Sequence, residues 1–170
     1  MLNYHIRISG VKDGKHEYFF DIDSKFFESF IDTEVTNSKI KVTSTYYKNG
    51  NKIKLTLKII GEVYNLVCDL CARSLTVKID NSITVLLQES DLEMETTDEI
   101  LYIKANQKEI DITQLIYEGI ILSLPNKREH SGDGDDICDE EMINLLNKYT
   151  IKEEKKDPRW EELNKIKDLI

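Results

Sequence analysis

Cysteine is scarce and odd in number, with three residues in a chain of 170. Such a trio makes no disulfide framework and agrees with a reducing compartment. Long apolar runs are missing as well. The longest, such as Gly119 to Leu124, are far too short to cross a bilayer. No basic start leads into an apolar stretch at the N-terminus, so no cleaved secretion signal and no membrane partner are expected, and the expected location is cytoplasmic. Positive charge is also in deficit: 23 Lys+Arg face 32 Asp+Glu, a formal net charge of -9. Phosphate backbones repel such a chain at long range, which disfavours a broad nucleic-acid footprint but leaves room for a local basic patch. A basic protein is the easier partner, although the same charge also serves plain solubility. Nucleophilic machinery is absent too. His5, His16 and His130 accompany no G-x-S-x-G elbow and no phosphate-cradling glycine loop. Acid pairs on charged loops are usually solvation rather than acid–base machinery. The chain reads as a non-enzyme.

What is present is a β-rich first half. Ile6 and Ile8 alternate with polar residues in a short opening strand. Tyr18-Phe19-Phe20 followed by Phe26, Phe27 and Phe30 suggests a strand turning into a short helix, with Ser24 as its cap. Ile40, Val42 and Tyr46 fall at even spacing, and Asn49-Gly50 offers the positive-φ pair of a tight hairpin turn. Ile53, Leu55, Leu57 and Ile59 alternate with Lys52, Lys54, Thr56 and Lys58, one face for the core and one for water. A third strand is expected over 63–68 and a fourth over 75–87, bent near Asp80-Asn81, with a short returning strand at 101–103. Between these last two, residues 88–99 hold six acids and no base, a solvated loop by composition.

The second half is helical. Asp111 with Gln114 three residues on resembles a capping box, and Ile112, Leu115, Ile116, Ile120 and Ser123 share one helical face before Pro125 stops the helix. Residues 126–136 form a loop, and Met142, Leu145, Leu146 and Tyr149 make a short amphipathic helix after Asp139. Residues 152–156 are a charged linker. Asp157 and Pro158 open a last helix whose apolar stripe is Trp160, Leu163, Ile166 and Ile170. The expected fold class is α+β: an antiparallel sheet, open or partly closed, packed by one long helix over 111–124, with two short C-terminal helices. Residues 1–150 read as one domain and 151–170 as the linker with the terminal helix.

Cys68-x-x-Cys71 is the first chemical candidate. Two thiolates at this spacing can grip one Zn²⁺, and a closed site needs two more ligands. Cys138, with His130 eight residues before it, would complete a Cys₃His tetrahedron and order a loop poor in apolar residues. The competing account is three reduced cysteines packed as small hydrophobes, and no glycine follows either cysteine of the pair. A thioredoxin-like role does not suit a pair flanked by strands. Asp133, Asp135, Asp136, Asp139, Glu140 and Glu141 miss the EF-hand offsets and read as an acidic loop before a helix start. Trp160, the sole tryptophan, and Arg159 are residue types that anchor interfaces, or Trp160 packs back on the domain.

Taken in order, these pieces resemble the YceD family, the large ribosomal RNA subunit accumulation protein family. Its outline is a β-rich half, a Cys-x-x-Cys junction, an acidic stretch, a helix ending in Leu-Pro, a loop with His or Cys, and a terminal Asp-Pro-Arg-Trp. Here these are Cys68-Asp69-Leu70-Cys71, Asp111 through Leu124-Pro125, His130 with Cys138, and Asp157-Pro158-Arg159-Trp160. Many members read Cys-x-Arg-Cys-Leu where this chain has Leu70, and carry more cysteines in the later loop, where this chain has Cys138 with His130. The resemblance implies a part in large-subunit rRNA accumulation and large ribosomal subunit assembly. It implies as partners a large-subunit ribosomal protein or an assembly factor, with rRNA or a pre-50S particle as the alternative; a third reading makes the chain itself an RNA-maturation hydrolase. The partner-binding residues expected are Asp133, Asp135, Asp136, Arg159 and Trp160; a basic face of Lys39, Lys41, Lys52, Lys54 and Lys58 would serve RNA. Lysines in this pattern also blunt an exposed edge.

Overall fold

The computed structural model describes residues 4–150, apart from 32, 51, 91–96, 98, 105 and 133–135. The terminal helix expected over 157–170, with Arg159 and Trp160, and the linker before it lie outside the described residues. So do Asp133 and Asp135.

Alternation of apolar and polar residues builds a five-stranded sheet in the order β2-β3-β4-β5-β6, from β2 (Gly14–Ile22), β3 (Asn37–Asn49), β4 (Lys52–Val67), β5 (Ser74–Glu89) and β6 (Ile100–Ile103). The first four are successive antiparallel neighbours. The sheet is mixed rather than wholly antiparallel, because β6 runs parallel to β5 (Leu86 opposite Ile100). It does not close. A separate ribbon pairs β1 (His5–Arg7) with β7 (Glu109–Asp111), an element not expected from the sequence because it is three residues long.

The 37–67 hairpin follows the expected alternation. Ile40, Val42, Tyr46, Ile53, Leu55, Leu57 and Ile59 are all buried. The turn differs by one residue. Asn49 still pairs with Lys52, and Gly50 takes the left-handed conformation (φ 58°). The two strands expected over 53–59 and 63–68 are one strand, β4. A Cβ at Gly61 would stand 2.3 Å from the Lys39 carbonyl oxygen and 2.6 Å from Ile40 Cα, so β3 and β4 stay paired because residue 61 has no side chain. The ladder between β4 and β5 shifts between Val63 and Leu66, where Asn65 has φ 60°.

Two helices cover the inner face of the sheet. α1 (Ser24–Phe27) is capped by Asp23, whose carboxylate accepts from the Lys25 amide at 3.0 Å; the cap is thus Asp23 and not Ser24. Phe26 packs edge-on against Tyr4 and Phe27, and Phe30 stacks on Tyr117 with ring centroids 4.0 Å apart. α2 (Thr113–Ser123) has eleven residues, so the long helix expected over 111–124 is shorter. Asp111 accepts from the Thr113 amide and hydroxyl, whereas Gln114 donates to Glu118, so no reciprocal capping box forms. Ile112, Ile116 and Ile120 are fully buried, each worth about 1.5–3 kcal/mol. Gly119 lets the helix settle: a Cβ there would stand 2.4 Å from Ile59 Cδ1 and 2.5 Å from Ile83 Cδ1. The Asn81 amide donates to the Gly119 carbonyl at 3.1 Å and fixes α2 on β5. The main core lies between these helices and the sheet. α3 (Glu140–Tyr149) stands apart with none of its residues buried.

Candidate metal centre and the helix beside it

β4 and β5 are joined at the far end of the sheet by residues 68–73, so the Cys-x-x-Cys pair is the turn of a hairpin. The Cys68 amide donates to the Arg73 carbonyl and the Ala72 amide to the Cys68 carbonyl, both at 2.9 Å. Ala72 adopts φ 57°, the left-handed conformation that a glycine would take without strain. The turn therefore has the shape of a thiolate-gripping knuckle although its sequence lacks glycine.

The loop after α2 returns to this turn. The Asp69 amide donates to the Arg128 carbonyl at 2.7 Å, and the Arg128 amide donates to the Asp69 carboxylate at 2.6 Å. The Arg128 guanidinium also meets Glu34 at 2.8 Å. On the far side of the loop, Arg73 pairs with Asp139 at 2.8 Å. These clasps deliver Cys138 to the cysteine pair.

The sulfurs of Cys68, Cys71 and Cys138 lie within 4.8 Å of one another, and Cys68 Sγ and Cys138 Sγ are 3.8 Å apart. A tetrahedron with Zn–S bonds of about 2.3 Å has edges of about 3.8 Å. Cys68 and Cys71 are buried together with Leu75 in a small core of their own. All three cysteines are free thiols. Backbone amides point at the sulfurs: those of Asp139 and Arg73 reach Cys71, and that of His130 reaches Cys138. Burial alone pushes the Cys71 thiol up, but the two amides and the neighbouring thiols outweigh it and lower its pKa to about 6. Cys138 is raised, by burial first and then by Cys68, against the pull of the His130 amide.

His130 stands beside this trio. Its Nδ1 is 2.6 Å from an Asp136 carboxylate oxygen, and its Nε2 is buried with no hydrogen-bond partner. The Asp136 bond raises the imidazole pKa, burial opposes it, and Cys71 raises it further. Asp136 itself falls to about 2, held first by the Ser131 amide and then by His130. Among the described residues no histidine or carboxylate comes within 4.8 Å of all three sulfurs, so His130 is adjacent to the cluster rather than closed upon it. Three of the four expected ligands are thus brought together, and the fourth has an oriented ring and a spare nitrogen. A carboxylate on the remote nitrogen of a ligating histidine is the usual means of fixing its tautomer.

The donor set fits a metal ion. Three clustered thiols, amide donors to two of them and an orphaned imidazole nitrogen make a site that could hold one. Among the described residues no other three His, Cys, Asp or Glu side chains gather their ligand atoms so closely. Asp136, expected at a partner surface, is bonded to His130 and Ser131 and is 43% exposed. The part of Asp136 as the residue that orients His130 escaped sequence reasoning, because no known spacing signals it. The left-handed Ala72 escaped as well.

α3 begins directly after the cluster. The helix lies after Asp139 as the sequence predicts, and Asp139 caps it by accepting from the Met142 amide at 3.1 Å. Its apolar stripe of Met142, Leu145, Leu146 and Tyr149 is 40–73% exposed and, with Leu70 from the cysteine turn, lines a groove of about 400 Å³.

Residues 55–167 match the model of one family, described as Large ribosomal RNA subunit accumulation protein YceD. The chain belongs to the YceD family. The span shared with other YceD chains opens inside β4 and takes in the cysteine turn, α2, the His130 loop and α3, while β1, β2 and β3 precede it. No curated protein and no solved structure matches the chain. The YceD description ties the chain to accumulation of the large ribosomal subunit RNA, and names an accumulation factor rather than an enzyme. Among the described residues no helix is long and apolar enough to cross a membrane.

Proposed function

We propose that the protein is a non-catalytic cytoplasmic factor of large ribosomal subunit assembly, which acts by binding a ribosomal protein or another assembly factor along α3. The observation that carries this is the apolar stripe of α3, exposed among the described residues, on an amphipathic helix with no buried residue. Helices of this pattern dock into partner grooves through such a stripe. Glu140 and Glu141 in its first turn favour a basic partner, and the chain's charge of -9 would speed the encounter. Asp133, Asp135, Arg159 and Trp160 would extend the same contact.

In this proposal Cys68, Cys71, Cys138 and His130 would hold Zn²⁺, with Asp136 keeping the His130 ring oriented. Zinc supplies structural cross-linking there, nothing more. The chain's own residues do the positioning: the cysteine turn, the Asp69–Arg128 clasp and the Arg73–Asp139 pair fix where α3 leaves the domain.

The test uses co-sedimentation with immature large-subunit particles, with rescue of rRNA levels in depleted cells as the second measure. Wild type should travel with the particles. The Leu145→Asp, Leu146→Asp double variant, altered only at exposed positions, should remain with free protein and fail to rescue. Full rescue by that variant would remove α3 as the contact.

A further inference from the structure

The outer face of the five-stranded sheet carries a second and independent set of observations. Strand pairing lays its side chains in rows: Lys15–Tyr47–Lys54, Glu17–Thr45–Thr56–Thr84, Phe19–Thr43–Lys58–Ser82 and Asp21–Lys41–Ile60–Asp80. Lys39, Glu62 and Lys78 form a fifth row, and Lys52 lies at the end of β4. The face thus has seven lysines against four carboxylates (Glu17, Asp21, Glu62 and Asp80), a surplus of three positive charges on a chain of net charge -9. Edge protection does not account for Lys39, Lys41, Lys52, Lys54 and Lys58, because β3 and β4 are interior strands of the sheet.

Lys15 pairs with Glu17 at 2.8 Å. None of the other six forms an ion pair among the described residues, and Glu62 instead accepts from the Tyr64 hydroxyl at 2.8 Å. Two aromatic rings stand among these cations, Phe19 at 73% and Tyr47 at 48% exposure. Thr56 and Thr84 exchange a hydroxyl contact at 3.1 Å between them. Beside Ile60 and Asp80, Lys39, Lys41 and Lys78 surround a hollow of about 600 Å³.

We infer that this face binds single-stranded RNA, its lysines neutralising phosphates and Phe19 and Tyr47 giving π-faces for unpaired bases. Lysines next to exposed rings on an open sheet match that ligand: the charge follows the backbone, and rings stack on any base. An acidic polypeptide would use the lysines and leave both rings idle. The face points away from α2 and shares no residue with α3, so RNA and a protein partner would be held by separate surfaces.

The experiment measures anisotropy of a labelled oligouridylate of about 12 nucleotides, with a duplex RNA and polyglutamate as competitors. If four lysines each neutralise one phosphate, affinity should fall about fifty-fold between about 50 and 200 mM salt, since each contributes roughly 0.7 to the slope. The Lys54→Gln, Lys58→Gln variant should bind more weakly and reduce that fall to about seven-fold. Phe19→Ala should weaken binding about ten-fold without changing the slope. All three positions are exposed, and unchanged melting would show that the fold is intact. No binding at low salt, or binding indifferent to these substitutions, overturns the inference. Equal competition by polyglutamate, with Phe19→Ala silent, assigns the face to an acidic protein instead and equally overturns it. The α3 variant should bind the oligouridylate as wild type does, which separates failure here from failure of the α3 contact.

Discussion

Gly61→Ala should be among the most damaging single-methyl additions in this protein. The added Cβ would lie 2.3 Å from the Lys39 carbonyl oxygen and 2.6 Å from Ile40 Cα. Both are backbone atoms of the neighbouring strand, so no side chain can rotate to make room. Relief requires β3 and β4 to separate where Ile40 faces Gly61, inside a ladder that runs from Asn37–Tyr64 to Asn49–Lys52. Overpacking costs typically 1–3 kcal/mol, and a backbone clash belongs at the upper end. Replacing glycine in a strand returns about 0.5–1 kcal/mol of chain entropy. The net loss is therefore about 2 kcal/mol, or roughly 4–8 °C in Tm for a domain of this size. Thermal melting by circular dichroism, with urea titration as a second route, measures it. A variant that melts within a degree of wild type would refute the close strand approach, and with it the single continuous β4.

Ala72→Gly should raise stability by about 0.5–1 kcal/mol, because relief of the left-handed alanine outweighs the entropy glycine adds to the unfolded chain; an unchanged urea midpoint would contradict the knuckle geometry. Native mass spectrometry of protein grown with zinc should show one ion, lost with chelator and absent from Cys71→Ser; an identical mass in all three samples would remove the metal proposal. Asp139→Ala should cost about 1 kcal/mol through loss of the α3 cap together with the Arg73 pair, read as lost helicity rather than as a lower melting temperature of the sheet. For Asp111, burial raises the carboxyl pKa but the Thr113 hydroxyl and amide outweigh it and hold it below the ordinary value. Its stabilisation is thus present above the unfolded carboxylate pKa and is lost as pH falls through the folded one, so Asp111→Asn should flatten the acid limb of the stability–pH curve.

Much of this molecule was readable from residue order because alternation is a local property. Strict exchange of apolar and polar residues places the 37–67 hairpin face by face, and the spacing of Met142, Leu145, Leu146 and Tyr149 announces α3. Glycine misled at 61: it looks like a break between strands, whereas its role is set by a partner 21 residues away. The parallel β6 and the three-residue β1–β7 ribbon depend on which strands meet, which no window along the chain contains. The cysteine pair is legible from its spacing, whereas its meeting with Cys138, and the place of His130 beside the three sulfurs, come from the fold. The orienting Asp136 is not legible either, since among many acids only the fold shows which one a ring faces.

The cysteine turn closes the long hairpin away from the main core, and it joins the 126–139 loop through sulfur, polar clasps and a minor cluster around Leu75. The domain is therefore expected to open in two steps, the cysteine end before the sheet. Amides of the central strands should exchange with solvent only on global unfolding, whereas those of the cysteine turn and α3 should open earlier and together. If both proposed contacts hold, oxidation at the cysteine end would free α3 while the lysine-bearing sheet stays folded, so a damaged molecule would keep one contact after surrendering the other.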